Sequence, residues 1–165
     1  MNIVLHQPEI PQNTGNIGRT CVATDTALHL IRPLGFNVDD KSLKRAGMDY
    51  WKDLRVYYYD SFGDFIEKNP DARIIMATTK AQKTYCDIEY KADDFIMFGS
   101  EGSGIPEEIL LEYKQNCVRI PMIGDYRSLN LSNSAAIILY EALRQQGFDN
   151  FNLKGELHRH RWDEV

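Results

Sequence analysis

The chain is poor in the residues that would tie it to several common classes. It has three cysteines, Cys21, Cys86 and Cys117, with no CxxC spacing. An odd number so spread fits reduced thiols in a cytosolic protein and predicts neither a disulfide framework nor a metal site. No apolar run approaches the ~18 residues that cross a bilayer. The opening MNIVLHQPEI has no basic leader and reads as a strand, so no signal peptide is expected. Nucleotide-loop signatures are missing too. Gly99–Gly104 spells GSEGSG rather than GxGxxG, Gly15–Gly18 has no matching acid after a second strand, and no GK[ST] occurs. There is no GxSxG elbow, and none of His6, His29, His158 and His160 has a nucleophile at a telling spacing. His158 and His160 alternate with arginines in a tail that looks peripheral from about residue 150.

What is present is an ordinary globular composition, 43% hydrophobic and 26% charged over 165 residues, the size of one domain with its own core. The balance is acidic, 24 Asp+Glu against 19 Lys+Arg, which argues against a broad non-specific nucleic-acid binder. Residues 41–55 are a local exception. Lys41, Lys44, Arg45, Lys52 and Arg55 face only Asp49 and Asp53, a net +3. Such a patch suits a partner with few phosphates in reach, or is simply a solvated helix face.

Short continuous apolar runs alternate with helical stretches. Strands are predicted over Asn2–His6, Ala27–Ile31, Arg55–Tyr59, Arg73–Thr78, Asp94–Phe98 and Val118–Ile120. Helices are predicted over Asn16–Thr26, capped by Asn13 or Thr14 and with Arg19 in the first turn. Others are predicted over Lys41–Ala46, capped by Asp39 or Asp40, from a Ser61 capping box to Asn69-Pro70, and from Pro106 through Tyr113. The last runs over Ser132–Gln146, capped by Ser132 and stopped by Gly147. This pattern defines an α/β fold, a mostly parallel sheet covered by helices on both faces. Ligands in such sheets bind beyond the carboxyl ends of the strands. Three polar, glycine-marked loops leave from that edge, Pro8–Gly18, Gly99–Pro106 and the loop within Cys117–Asn133, and are predicted to converge. The helix 132–146 is apolar nearly all round, which implies cover on a second side by another subunit.

Three ordered motifs carry a resemblance: Asn13-Thr14-Gly15-Asn16-Ile17-Gly18-Arg19, then Phe98–Pro106 (FGSEGSGIP), then Ile120-Pro121-Met122 with Ser128-Leu129-Asn130-Leu131-Ser132. Together, over about residues 2–148, the chain resembles the SPOUT-class RNA 2′-O-ribose methyltransferases. Pro8–Pro11 and the Arg45-Ala46-Gly47-x-Asp49-Tyr50 segment are similar to the branch acting on the wobble nucleotide, C34 or U34, of leucine tRNAs. The resemblance implies a deep C-terminal trefoil knot and a homodimer in which the first and last helices pack across the interface. It implies S-adenosyl-L-methionine bound against Ala77, Thr78, Gly99, Ile120, Ser128 and Leu129. It also implies a catalytic set of Arg19, Asn13, Glu101, Ser128 and Asn130. Lys44, Arg45, Lys80 and Arg127 are the candidates to touch the tRNA anticodon stem-loop. The same resemblance extends to methyltransferases of other tRNA or rRNA positions, and to a non-catalytic RNA-binding factor that keeps the fold. A bulky or basic residue is frequent at 102–103 in the class, where this chain has Gly102-Ser103.

Overall fold

A computed structural model describes residues 1–37, 49–124 and 127–163. Seven strands form one sheet: β1 (Asn2–His6), β2 (Ala27–Ile31), β3 (Val56–Tyr59), β4 (Ile74–Ala77), β5 (Lys83–Thr84), β6 (Phe95–Phe98) and β7 (Cys117–Arg119). Their order is β3-β2-β1-β6-β4-β7-β5, and every pairing is parallel. The helices are α1 (Pro11–Ala23), α2 (Phe62–Lys68), α3 (Glu107–Glu112) and α4 (Leu131–Gln145), with 3₁₀ turns at Asp49–Asp53 and Lys114–Asn116.

The strand runs are apolar without alternation because both sheet faces are covered. On one face Ile3, Leu5, Leu28, Leu30, Ile96 and Phe98 pack against Ile17 and Cys21 of α1 and Ile138 and Leu139 of α4. On the other, Val4, Ile31, Met76 and Met97 pack against Phe65 of α2 and Leu110 of α3. Burying one such aliphatic side chain contributes about 1.5–3 kcal/mol before the entropy of ordering it.

Several boundaries differ from the sequence reading. Helix α1 begins at Pro11, five residues before the predicted start, because proline at the first helical position needs no N–H partner. Asn13 and Thr14 are therefore buried inside the helix, and its N-cap, Ile10, offers no side-chain hydrogen bond. Arg19 lies in the middle of α1, so no N-terminal dipole acts on it. Gly15 and Gly18 lower intrinsic helicity, but a Cβ at Gly18 would press to 3.2 Å from Leu54 and Trp51. Close packing is what that glycine provides. Helix α4 is capped by Asn130 rather than Ser132. Pro106 is itself the N-cap of α3. The polar stretch 79–84 ends in β5, a two-residue edge strand whose partner β7 lies more than thirty residues further on.

The Ser61 cap holds as expected, accepting from the Asp64 N–H, and Gly147 (φ +73°) ends α4 in the left-handed conformation. On α4, Ala135, Ile138, Leu139, Ala142 and Leu143 are buried while Ile137 and Tyr140 remain exposed. The predicted helix Lys41–Ala46 and its Asp39 or Asp40 cap lie outside the described residues.

Candidate active site

A cleft of about 590 Å³ opens beyond the carboxyl ends of β4, β6 and β7. It is lined by the three loops and by the N-terminal end of α4, where a switch of strand order favours ligand binding. The geometry comes from a hydrogen-bond chain through side chains remote in sequence.

Glu101 is its first member. Its Oε2 accepts from the Glu9 N–H at 2.8 Å, and its Oε1 accepts from the Ile10 N–H at 3.3 Å and from Asn13 Nδ2 at 2.9 Å. The first turn of α1 contains no acidic residue and the helix has no cap of its own. Glu101 thus supplies from the loop after β6 the negative charge and acceptors that a helix N-terminus calls for. Asn13, 6% exposed, uses its Oδ1 to accept from Asn130 Nδ2 at 2.9 Å. Asn130 Oδ1 in turn accepts from the Ser132 N–H at 2.9 Å, the Ser132 hydroxyl at 2.7 Å and the Asn133 N–H at 3.4 Å, capping α4. One chain of contacts therefore fixes the entry of α1, the loop after β6 and the start of α4.

The loop after β6 turns back on itself. The Gly104 N–H donates to the Ser100 carbonyl at 2.9 Å, and the hydroxyls of Ser100 and Ser103 lie 2.8 Å apart. A Cβ on Gly99 would fall 2.0 Å from the carbonyl carbon of Gly104. Glycine is required there by the loop's own return, which then leaves its backbone facing the cleft. Across the cleft, the Thr78 N–H donates to the Val118 carbonyl at 2.9 Å, holding the ends of β4 and β7 level.

Of the residues marked in the sequence, Asn13, Ala77, Thr78, Gly99 and Glu101 line the cleft. So do Ile120, Ser128, Leu129 and Asn130, together with Lys80 and Arg127 at the mouth. Lys80 pairs with Glu107 at 2.6 Å, which holds the Glu107 carboxyl below its ordinary range. The Arg127 guanidinium donates to the Gly102 carbonyl. Arg19 is the exception. It is exposed on α1, lies outside the lining of its own chain's cleft, and acts electrostatically on Tyr50, whose hydroxyl donates to the Gly15 carbonyl at 2.6 Å. Burial raises the Tyr50 pKa and Arg19 opposes the rise. Lys44 and Arg45 lie outside the described residues. Ile10, Met122, Ser134 and Ile138 also line the cleft, and motif matching did not mark them as ligand contacts. Glu9 lies outside the lining but bonds the Gly102 N–H, a role that its place in Pro8–Pro11 does not by itself announce. An acid one residue before the cap of a helix that lacks an acidic first turn is the available signal.

The cleft suits a nucleoside-bearing cofactor. Its volume lies in the usual ligand range, and its walls combine apolar side chains (Ile120, Leu129, Ile138) with glycine-rich backbone. Among the described residues no group of three or more His, Cys, Asp and Glu side chains is placed to hold a metal ion, and no helix is long and apolar enough to cross a membrane.

A parallel sheet with locked loops at one edge defines an α/β enzyme scaffold, and comparison with known proteins identifies which. Residues 1–140 match the SpoU rRNA Methylase family, and the chain belongs to that family. A Listeria monocytogenes relative is 56% identical over 150 residues, 89% of each chain. The tRNA (cytidine(34)-2′-O)-methyltransferase of Photorhabdus asymbiotica is 44% identical over 160 residues, 93% of this chain and 99% of that protein. A solved structure concerned with the 2-OH methylation of C/U34 on tRNA superposes with a TM-score of 0.84 at 41% identity, covering 89% of this chain and 96% of that one. An AdoMet-bound rRNA methyltransferase from Sinorhizobium meliloti superposes at 0.77 with 26% identity, covering 87% of this chain and 55% of that one.

Proposed function

We propose that this chain is an S-adenosyl-L-methionine-dependent tRNA methyltransferase that modifies the ribose 2′-oxygen of nucleotide 34, C34 or U34, in leucine tRNAs. It would work as a cytoplasmic homodimer. The observation that carries the reading is the cleft in which all three motifs meet, joined by the Glu101–Asn13–Asn130 chain. Relatives of similar length bearing the position-34 activity support the substrate, and the AdoMet-bound neighbour supports the cofactor.

When bound, the cofactor supplies an electrophilic methyl group on a sulfonium. The chain's part is to hold the reactants and to manage the hydroxyl proton. The backbone at Ala77, Thr78, Gly99 and Ile120, with Leu129, offers an apolar slot and amide groups for an adenine ring. Ser128 and Asn130 face the ribose. Glu101 is already an acceptor for three N–H groups, so its work is to orient Asn13 rather than to take a proton. Arg19, outside its own chain's cleft, reaches across the dimer to the cleft of the partner subunit, where it pairs with an RNA phosphate and hydrogen-bonds the developing alkoxide. A guanidinium keeps its protons, so the hydroxyl proton goes to a phosphate oxygen or to solvent. Lys80, Arg127, Lys44 and Arg45 meet the anticodon stem-loop through its phosphates.

The position of β7, between the earlier strands β4 and β5, supports a threaded C-terminal segment of the knotted type. Exposed Ile137 and Tyr140 on a helix already buried along its other face support a dimer contact through α4. The test is to incubate the protein with bulk tRNA and methyl-labelled cofactor and to map the product. A 2′-O-methyl group at nucleotide 34 of leucine tRNAs is expected. A product at another position would transfer the reading to a different RNA. Absence of cofactor binding in calorimetry would favour a non-catalytic RNA-binding role.

A further inference from the structure

Gly102 stands at the tip of the loop after β6, and both of its backbone polar groups are taken by other loops. Its carbonyl accepts from Arg127, from the loop before α4. Its N–H donates to Glu9 Oε2 at 2.9 Å, from the loop before α1. Glu9 in turn donates its own N–H to Glu101 Oε2 at 2.8 Å. The two glutamates are thus reciprocal, each side chain holding backbone beside the other. Glu9 is also braced from behind. The Gly35 N–H donates to the Pro8 carbonyl at 2.9 Å, and a Cβ at Gly35 would fall 2.7 Å from the Glu9 Cα and carbonyl oxygen.

We propose that Glu9 is a positioning residue for the loop Gly99–Gly104, and that a side chain at Gly102 would have to push the Glu9 carboxylate away from the Gly102 N–H it holds. A Cβ on Gly102 would sit 2.9 Å from Glu9 Oε2 and 3.1 Å from Oε1. Glu9 lies outside the lining of the cleft, so it acts through the loop and not by touching a ligand. The carboxylate is a charged acceptor, stronger than a neutral one for a backbone N–H. Without it Gly102, the tip of the segment Glu101–Ser103, keeps only the Arg127 contact, while Glu101 stays bonded to the Glu9 and Ile10 N–H groups and to Asn13. A cofactor entering the cleft must then order that segment itself, which weakens binding. The groups that act on the ribose keep their places once the cofactor saturates the site. The signature is therefore a change in cofactor KM with little change in kcat.

This inference rests on the reading of the cleft as the cofactor site, and the experiment separates the two. Cofactor affinity is measured by calorimetry with S-adenosyl-L-methionine for the wild type, Glu9→Ala, Glu9→Gln, Gly102→Ala and the Glu9→Ala/Gly102→Ala pair. Amide hydrogen exchange at Gly102 is followed alongside. Glu9→Ala is expected to weaken binding about tenfold, with kcat at saturating cofactor held within about twofold. Glu9→Gln keeps a side-chain oxygen acceptor and restores most of the loss. Gly102→Ala weakens binding in the wild type, but adds nothing in the Glu9→Ala background, because the carboxylate it collides with is gone. The Gly102 amide exchanges faster in Glu9→Ala. Unchanged affinity and unchanged Gly102 exchange in Glu9→Ala would overturn the proposal, as would full additivity of the two alanine substitutions. Should Glu9→Ala fail to fold, Glu9→Ser, whose side chain is too short to reach Gly102, takes its place in the same cycle with Gly102→Ala. A wild type that binds no cofactor would defeat the functional reading alone, while Gly102 exchange would still report on the clasp.

Discussion

Asn130 Nδ2 donates to Asn13 Oδ1 at 2.9 Å, joining residues 117 positions apart. Both amides have their orientation fixed by the rest of the network. The Asn130 oxygen is committed to the N–H groups of Ser132 and Asn133, and the Asn13 nitrogen to Glu101. Asn130→Asp keeps the capping oxygen and replaces the donor by a second acceptor facing Asn13. Urea unfolding should change by less than about 1 kcal/mol, since aspartate caps as well as asparagine. Methyl transfer should fall at least about tenfold, the consequence of setting two acceptors against each other. Asn130→Ala removes the cap as well and should lose about 1 kcal/mol of stability in addition.

Arg19 is separated from Asn13 by six residues of α1, about 9 Å along the helix axis, and stands outside the cleft lining. Arg19→Ala should leave cofactor affinity within about twofold while reducing methyl transfer by about 10²-fold or more. Calorimetry and single-turnover assays on one preparation test both halves. Equal loss of both would make Arg19 a structural residue.

His29 gives the protein an acid-sensitive core. It is 4% exposed and its pKa is lowered from 6.5 to about 4, with burial as the cause. Asn2 uses its nitrogen on the carbonyls of Asp93 and Asp94, leaving its oxygen 3.2 Å from His29 Nε2. Nε2 must then carry the proton, and Nδ1 accepts from the Tyr59 hydroxyl at 2.8 Å. Between pH 6.5 and 4 the unfolded chain binds a proton at this residue and the folded chain does not. Stability is therefore full above about pH 6.5 and falls with pH, by about 3 kcal/mol once both states are protonated. His6 shifts in the same direction for the same reason. Urea titrations across this range should show the decline, and His29→Gln should flatten it.

Thr14 presents a different kind of test. Its Oγ1 is buried with no hydrogen-bond partner, in a helix packed against the sheet. Valine has nearly the same shape without the desolvated hydroxyl. Thr14→Val should raise unfolding free energy by about 1 kcal/mol, measured by urea denaturation.

The sheet was legible because its strands are continuous apolar runs, and the convergence of the loops follows from the strand direction. Helix α1 was misplaced because Pro8, Pro11 and Gly15 look like loop residues when read locally. The acceptor that completes its N-terminus comes from Glu101, some ninety residues away. The cap of α4 was misassigned for a related reason. Asn130 and Ser132 are both good capping types, and only the link to Asn13 decides between them. Strand β5 has two polar residues and no signal apart from its partner. Glu9 escaped notice because a lone exposed glutamate has no pattern until the loop it holds is in place.

The strand order has a consequence during translation. Strand β1 pairs with β2 on one side and with β6 on the other. The first three strands are complete once Tyr59 has left the ribosome, while β6 ends only at Phe98, so one edge of β1 waits about forty residues with its N–H and C=O groups unpaired. At ~5–20 residues per second that is roughly 2–8 s of exposure for a nascent chain. An unpaired strand edge invites pairing with other chains. That edge closes only when Phe95–Phe98 pairs along it, so the order of synthesis leaves it open to other copies of the chain until then.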